Sequence, residues 1–296
     1  MKKIDMHNHV TMFPDIVCPF PGGNRFLCKE ELMDIQDKLD IEKGVLLPLI
    51  SPECFWMIMT NEEAKTIADQ HPDRFVWFCN VDPRMGDFSE KTDLGFLLNH
   101  YKELGARGMG ELTAPLPADC AMMDNLFGFC EELSMPVVIH IAAQLGGCYG
   151  IIDEAGLPRI DRMLTKHPDM KLIGHSPCFW NEISDEVLEN RNTYPQGKVK
   201  EGRLPKMLRE HGNLYCDLSA GSGANAMMRD PEFAAKFIEE FADRIFYATD
   251  VCAVTNTFQY TFNDFLNKMV ADGMISQENY EKIIRKNAVK ILGLPE

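Results

Sequence analysis

Hydrophobic positions along the chain fall into two alternating kinds of segment. Short, nearly continuous apolar runs rich in β-branched and aromatic residues are each followed by a longer stretch with helical spacing. The runs are KKIDMH (2–7), GVLLPLI (44–50), RFVWFCNV (74–81), ARGMGEL (106–112), PVVIHIA (136–142), MKLIGHS (170–176), NLYCDLS (213–219) and RIFYATD (244–250). Continuous apolar strands between amphipathic helices predict a parallel sheet buried on both faces. Eight such units point to an α/β fold of one domain over residues 1–296, a closed (β/α)₈ TIM barrel. An open doubly wound sheet fits less well, because no glycine fingerprint follows the first strand.

The helical segments carry their own start and stop signals. In TNEEAKTIADQH, Thr60 and Glu63 stand in capping-box register. PEFAAKFIEEFAD puts Pro231 at a first helical position and Phe233, Phe237, Ile238 and Phe241 on one face. In GLPRIDRMLTKHPD, Leu157, Ile160, Met163 and Leu164 form a similar stripe that ends before Pro168. Residues 177–205 are polar and without a period, which predicts a long loop over the barrel mouth. A last helix, roughly 276–292, is expected to close the barrel from outside.

Charge narrows the partners. With 45 acidic against 30 basic residues the net charge is -15, and no Lys/Arg cluster occurs, so nucleic acid is excluded as a partner. No apolar run reaches the 18 residues of a membrane span and no leader pattern opens the chain, so no membrane association is expected. The ten cysteines include no CxxC pair and several sit in apolar runs, which suits free thiols in a reducing, cytoplasmic setting.

Chemistry enters at the strand ends. In IDMHNH, Asp5, His7 and His9 occupy alternate positions and would share one face of an uninterrupted strand. His140 closes PVVIH, His175 closes KLIGH and Asp250 closes RIFYATD. In a (β/α)₈ barrel all strand ends meet at one mouth, where the chemistry of such folds takes place. Imidazoles and a carboxylate converging there predict a metal site. The remaining histidines, His71, His100, His167 and His211, lie at helix ends, within a helix or before a strand, and are left out of the site.

The set IDMHNH, His140 after an apolar strand, GHS at 174–176, ATD at 248–250 and the closing NAVKILGL resembles the amidohydrolase superfamily. The last motif is similar to the amidohydrolase-related (amidohydrolase 2) branch, which includes aminocarboxymuconate semialdehyde decarboxylase. The resemblance implies that His7, His9, His140 and Asp250 bind one divalent ion, with His175 beside it as acid, base or polariser. Three imidazoles and one carboxylate suit zinc, with manganese or iron also compatible. Such an ion brings the pKa of water down to ~7 in favourable sites. Asp250 could then take the proton while the ion or His175 steadies an oxyanion. Glu111, ending GMGEL, either bridges to a second ion or hydrogen-bonds a ligand histidine from behind.

Arg229 and Asn225 in SAGSGANAMMRD, Trp180 in SPCFWNEI and Arg25 are candidate substrate contacts, and Cys178 and Cys252 are nearby thiols. The leading expectation is a hydrolase of a small-molecule amide, ester, lactone or related bond. A non-oxidative decarboxylase of a small carboxylated substrate is the alternative, and a non-catalytic metal-binding barrel a third reading. A homodimer is in keeping with the branch.

Overall fold

The computed structural model describes residues 1–20, 24–55, 57–186 and 188–295. In these residues the strands run β1 (Lys3–Asn8), β2 (Ile41–Leu46), β3 (Phe75–Trp77), β4 (Met109–Leu112), β5 (Val137–Ala142), β6 (Ile151–Ile152), β7 (Leu172–His175), β8 (Leu214–Asp217) and β9 (Ile245–Phe246). Each predicted apolar run overlaps one of them. β6 is additional: two residues leave no periodicity to read, and it pairs with the rim of β5 through Ile141 and Ile151.

All strand pairs are parallel. One sheet holds β1, β2 and β3, the other β4, β5, β7, β8 and β9. Backbone hydrogen bonds join the two at both seams. Cys79 N–H donates to Gly108 O (2.9 Å) and Gly110 N–H to Cys79 O (2.8 Å), joining β3 to β4. Met6 N–H donates to Tyr247 O (3.1 Å) and Asp250 N–H to His7 O (2.9 Å), joining the last strand segment to the first. The barrel thus has no open edge.

Inside the barrel, Ile4, Met6, Val45, Leu47, Phe78, Val138, Ile173 and Phe246 form one apolar cluster. Ala288 and Leu292 belong to it too. The terminal helical segments Gln277–Glu281, Lys282–Lys286 and Asn287–Leu292 therefore plug the floor of the barrel instead of lying only along its outer wall. A larger cluster fills the layer between strands and helices. Helix Asn61–Gln70 starts with the predicted capping box, Thr60 and Glu63 each accepting the other's N–H at 3.1 Å. Phe237, Ile238 and Phe241 of helix Pro231–Phe241 are buried, as are Ile160, Met163 and Leu164 of Pro158–Lys166.

The segment predicted as loop begins with helix Pro177–Trp180 and the 3₁₀ turn Asn181–Ile183, because Cys178, Phe179, Trp180 and Ile183 find buried places behind the mouth. Irregular chain follows until helix Arg203–Glu210.

β1 holds a second difference. Asp5 pairs with Gly44 and Asn8 with Leu46, three steps against two. The extra residue is a bulge, and a bulge exchanges the two faces of a strand. Ile4 and Met6 below it face the barrel interior; above it His7 and His9 do. Asp5 does not share their face: its carboxylate accepts from Thr249 N–H (2.8 Å), the Thr249 hydroxyl and His7 N–H (3.2 Å).

Candidate metal centre

The strand ends converge. The Nε2 atoms of His7 and His9 lie 2.9 Å apart. Glu111 brings Oε2 to 3.4 Å from His7 Nε2 and 3.2 Å from His9 Nε2. Asp250 Oδ1 stands 3.7 Å and 3.4 Å from the same two nitrogens. The other Glu111 oxygen is 2.7 Å from His140 Nδ1 and 3.8 Å from His175 Nε2. The second Asp250 oxygen lies 3.6 Å from His175 Nε2.

Ligand atoms within 4.8 Å of one another form three groups here: His7–His9–Glu111, His7–His175–Asp250 and Glu111–His140–His175. No such group among the described residues joins His140 to His7 or His9. The expected set of His7, His9, His140 and Asp250 is spread over these overlapping groups, with Glu111 common to two of them and His7 and His175 joined through Asp250.

The hydrogen bonds behind the histidines fix their open nitrogens. His9 Nδ1 sits 2.7 Å from Leu47 O, which can only accept, so the proton is on Nδ1 and Nε2 of the neutral ring carries a lone pair. His7 Nδ1 lies 2.8 Å from Asp217 Oδ2 and His175 Nδ1 3.1 Å from Asp217 Oδ1. Ser219 Oγ donates to the same carboxylate. Two lone pairs and two carboxylates then face one buried point with no donor among them, an arrangement that calls for a cation. Burial would lower the His7 pKa, but Asp250, Asp217 and Glu111 drive it well above the ordinary histidine value. Burial likewise opposes the charge on Glu111, yet the nearby His7 and the hydrogen bond from His140 hold its carboxyl well below the usual range. Asp217 is pulled down by His175 and His7 against burial. The His140 pKa is lowered, chiefly by burial. The donor set of imidazole nitrogens and carboxylates fits zinc, manganese or iron.

Local backbone places Glu111. Gly110 has φ +129°, and a Cβ on it would meet Val138 O at 2.5 Å, so only glycine fits at that point of β4. The Asn80 amide donates to Glu111 O at 2.6 Å and to Pro48 O at 2.7 Å.

A pocket of about 200 Å³ opens on this centre, lined by His140, His175, Asp250, Tyr149, Asn192 and Tyr194 with small apolar residues. The predicted substrate contacts lie elsewhere. Trp180 is 2% exposed; it donates from Nε1 to Asp217 O at 3.0 Å and packs on Phe179 and Phe237, supporting the centre from behind. Arg229 is buried and bound to Glu186 at 3.0 Å. Asn225 is half-buried and outside the pocket, because only Ala220, at the start of helix Ala220–Met228, reaches it. Arg25 is forked onto Glu31 at 2.7 and 2.9 Å. Cys178 lines the pocket, but burial pushes its thiol up to about 11, and burial raises Cys252 further. Both are protonated at neutral pH and poor metal ligands.

Asp217, Ser219, Tyr149, Asn192 and Tyr194 are residues around the site that sequence reading missed. Asp217 ends the apolar run LYCD, so the strand-end rule that found the histidines applied to it as well. All ten cysteines are unpaired. The remaining histidines stay apart from the centre: His167 pairs with Asp124 and Glu131, and His211 with Asp161, where Arg203 already binds both Asp161 and Glu210. No helix among the described residues is long and apolar enough to cross a membrane.

Similar barrels are found among solved structures. An uncharacterised TIM-barrel protein from Bordetella bronchiseptica is 19% identical over 99% of both chains, with a TM-score of 0.67. The 5-carboxyvanillate decarboxylase of Sphingomonas paucimobilis is 13% identical over 99% of both chains, with a TM-score of 0.63. A probable 2-pyrone-4,6-dicarboxylic acid hydrolase from Acinetobacter baumannii is 14% identical, covering 99% of this chain and 100% of that one, with a TM-score of 0.62. At such identities the likeness concerns the fold. No curated protein matches the sequence. The amidohydrolase family model matches residues 57–294, which include Glu111, His140, His175, Asp217 and Asp250; His7 and His9 precede the match and are tied to these residues by the geometry above. With most of its length matched, the chain belongs to the amidohydrolase family, in the amidohydrolase-2 branch of TIM-barrel enzymes.

Proposed function

We propose that the protein is a metal-dependent hydrolase of a small-molecule amide, ester, lactone or related bond, holding two divalent ions. The observation that carries this reading is the division of the Glu111 carboxylate, one oxygen toward His7 and His9 and the other toward His140 and His175. His7, His9 and Asp250 would hold one ion, His140 and His175 the other, with Glu111 shared. Zinc fits the donors best. Bound there, divalent ions polarise a carbonyl and make water a nucleophile near neutral pH. Asp250, 20% exposed and open to the pocket, takes the proton of the attacking water and returns it to the leaving group. Asp217 and Ser219 hold His7 and His175 in the orientation that leaves Nε2 facing inward.

The test is reconstitution of metal-depleted protein with zinc or manganese, ion counting per chain, and assay of lactones, esters and amides in ¹⁸O-water. Hydrolysis predicts one ¹⁸O in the acid product, no carbon dioxide, and loss of activity in Asp250→Asn. Carbon dioxide release from a carboxylated substrate without ¹⁸O uptake would establish the decarboxylase instead. A content that saturates at one ion removes the bridging role of Glu111.

A further inference from the structure

The wall of the pocket bears on what the centre accepts. Tyr149 packs against His140, with ring centroids 4.7 Å apart and planes tilted by 47°, and lies beside the apolar cluster of Phe26, Leu49 and Cys54, with Phe20, Met57 and Cys252 around it. Across the pocket stand Asn192 and Tyr194, carried by the irregular segment after Ile183. Tyr194 lies against helix Ala220–Met228, where a Cβ on Gly221 would be 3.3 Å from the phenol ring. Both flanks of this wall are tied down. Arg191 donates to Asp153 O (2.7 Å), Cys178 O (3.3 Å) and Glu182 (3.2 Å), and the Asn181 amide donates to Arg191 O (2.7 Å) and Thr193 O (3.1 Å).

Among the described residues, the Tyr149 and Tyr194 hydroxyls and the Asn192 side chain have no hydrogen-bond partner in the protein, while all three line the pocket. A phenol hydroxyl donates as well as accepts, so both tyrosines can bind an acceptor atom in the pocket.

Four arginines outside the pocket lining each pair with carboxylates. Arg25 is bound by Glu31, Arg84 by Asp82 and Glu53, Arg191 by Glu182, and Arg229 by Glu186. Neither Lys nor Arg lines the pocket among the described residues, and Asp250 faces into it. Ions in the ligand set would lie at the reacting end, with the carboxylates of Glu111, Asp217 and Asp250 around them. A second anionic group, remote from the reacting bond, would lose its hydration on this wall and find no counter-charge. A neutral oxygen or nitrogen would find two phenols and an amide, and a ring or short alkyl body would find the apolar cluster.

We infer that the pocket takes a small substrate without charge outside its reacting group, its neutral acceptor atom held by the Tyr149 hydroxyl with Tyr194 and Asn192 opposite. This deepens the hydrolytic reading and rests on it for the reaction, not for the binding preference. Tyr149 is here a specificity residue.

The experiment uses the zinc-loaded enzyme and matched pairs differing by one remote carboxylate. Calorimetry with acetophenone and 4-acetylbenzoate, which have no hydrolysable bond, reads binding alone. Phenyl acetate against 4-acetoxybenzoate reads kcat/KM. The neutral member is expected to bind and react at least tenfold better. Tyr149→Phe should weaken acetophenone at least fivefold while leaving metal content and melting temperature unchanged; Tyr194→Phe gives a second reading should that variant melt early. Equal or tighter binding of 4-acetylbenzoate overturns the inference, even if both esters are hydrolysed. A clear acetophenone preference with no hydrolysis of any ester upholds it while removing the hydrolytic reading.

Discussion

Replacing Asp217 by Asn keeps shape and volume but changes what the two histidines meet. The native carboxylate receives His7 Nδ1–H on one oxygen at 2.8 Å and His175 Nδ1–H on the other at 3.1 Å. An amide can receive one of them. The second ring then faces an N–H₂ group and must move its own proton to Nε2, covering the lone pair that points into the centre. Loss of such an orienting partner costs about 10–100-fold in metal affinity, or roughly 1.4–2.8 kcal/mol. The proposed arrangement gives His7 and His175 to different ions, so the loss should fall unequally on the two. Zinc titration of metal-depleted Asp217→Asn against a chelating dye should therefore show two well-separated steps, one near the native affinity and one weakened by at least tenfold. Melting of the metal-depleted forms controls for folding. If a folded variant binds both ions within twofold of the native affinities, the orienting role argued from Asp217 is wrong.

Three further outcomes follow from the same geometry. Glu111→Gln should reduce ion content from two per chain to one and abolish turnover, as read by elemental analysis of dialysed protein; retention of both ions contradicts sharing of the carboxylate. Gly110→Ala would drive a methyl group against Val138 O and force φ out of its observed region, so a loss of several kcal/mol of stability and of metal content is expected, measured by denaturant titration; a near-native midpoint would refute it. For Asp5, burial raises the carboxyl to about 7, whereas the unfolded chain ionises near the ordinary value of 3.8. A raised carboxyl binds its proton more tightly when folded, so its contribution declines as pH climbs between those two values and stays low above them. Metal-depleted Asp5→Asn should lack this decline, and urea midpoints from pH 5 to 8 that fall equally in both proteins would contradict the assignment.

Most of the barrel was legible because each strand is buried on both faces and so reads as an apolar run. His7, His9, Glu111, His140, His175 and Asp250 were legible because the fold gathers strand ends whatever lies between them. Asp217 obeys the same rule, ending the apolar stretch LYCD. Other features depend on packing that local sequence does not encode. The bulge in β1 turned Asp5 away, since a period of two assumes an unbroken pleat. Trp180, Arg229 and Asn225 sit on helices or turns whose orientation is set by distant contacts, and their partners Asp217 O and Glu186 could not be inferred from spacing. Tyr149, after the glycine-rich loop that follows β5, likewise had no local signal.

The seam between the first and last strand segments has a kinetic consequence. Thr249 holds Asp5 across 244 positions of sequence, and Asp250 N–H bonds His7 O beside it. The proposed ligands His7 and Asp250 thus stand on opposite sides of the junction that shuts the barrel, and neither finds the other until nearly the whole polypeptide is in place. Contacts of such long range are slow to form. Metal uptake should therefore report completion of folding, lagging behind helix formation in a refolding experiment, and in hydrogen exchange the metal-depleted protein should open first where its two ends meet.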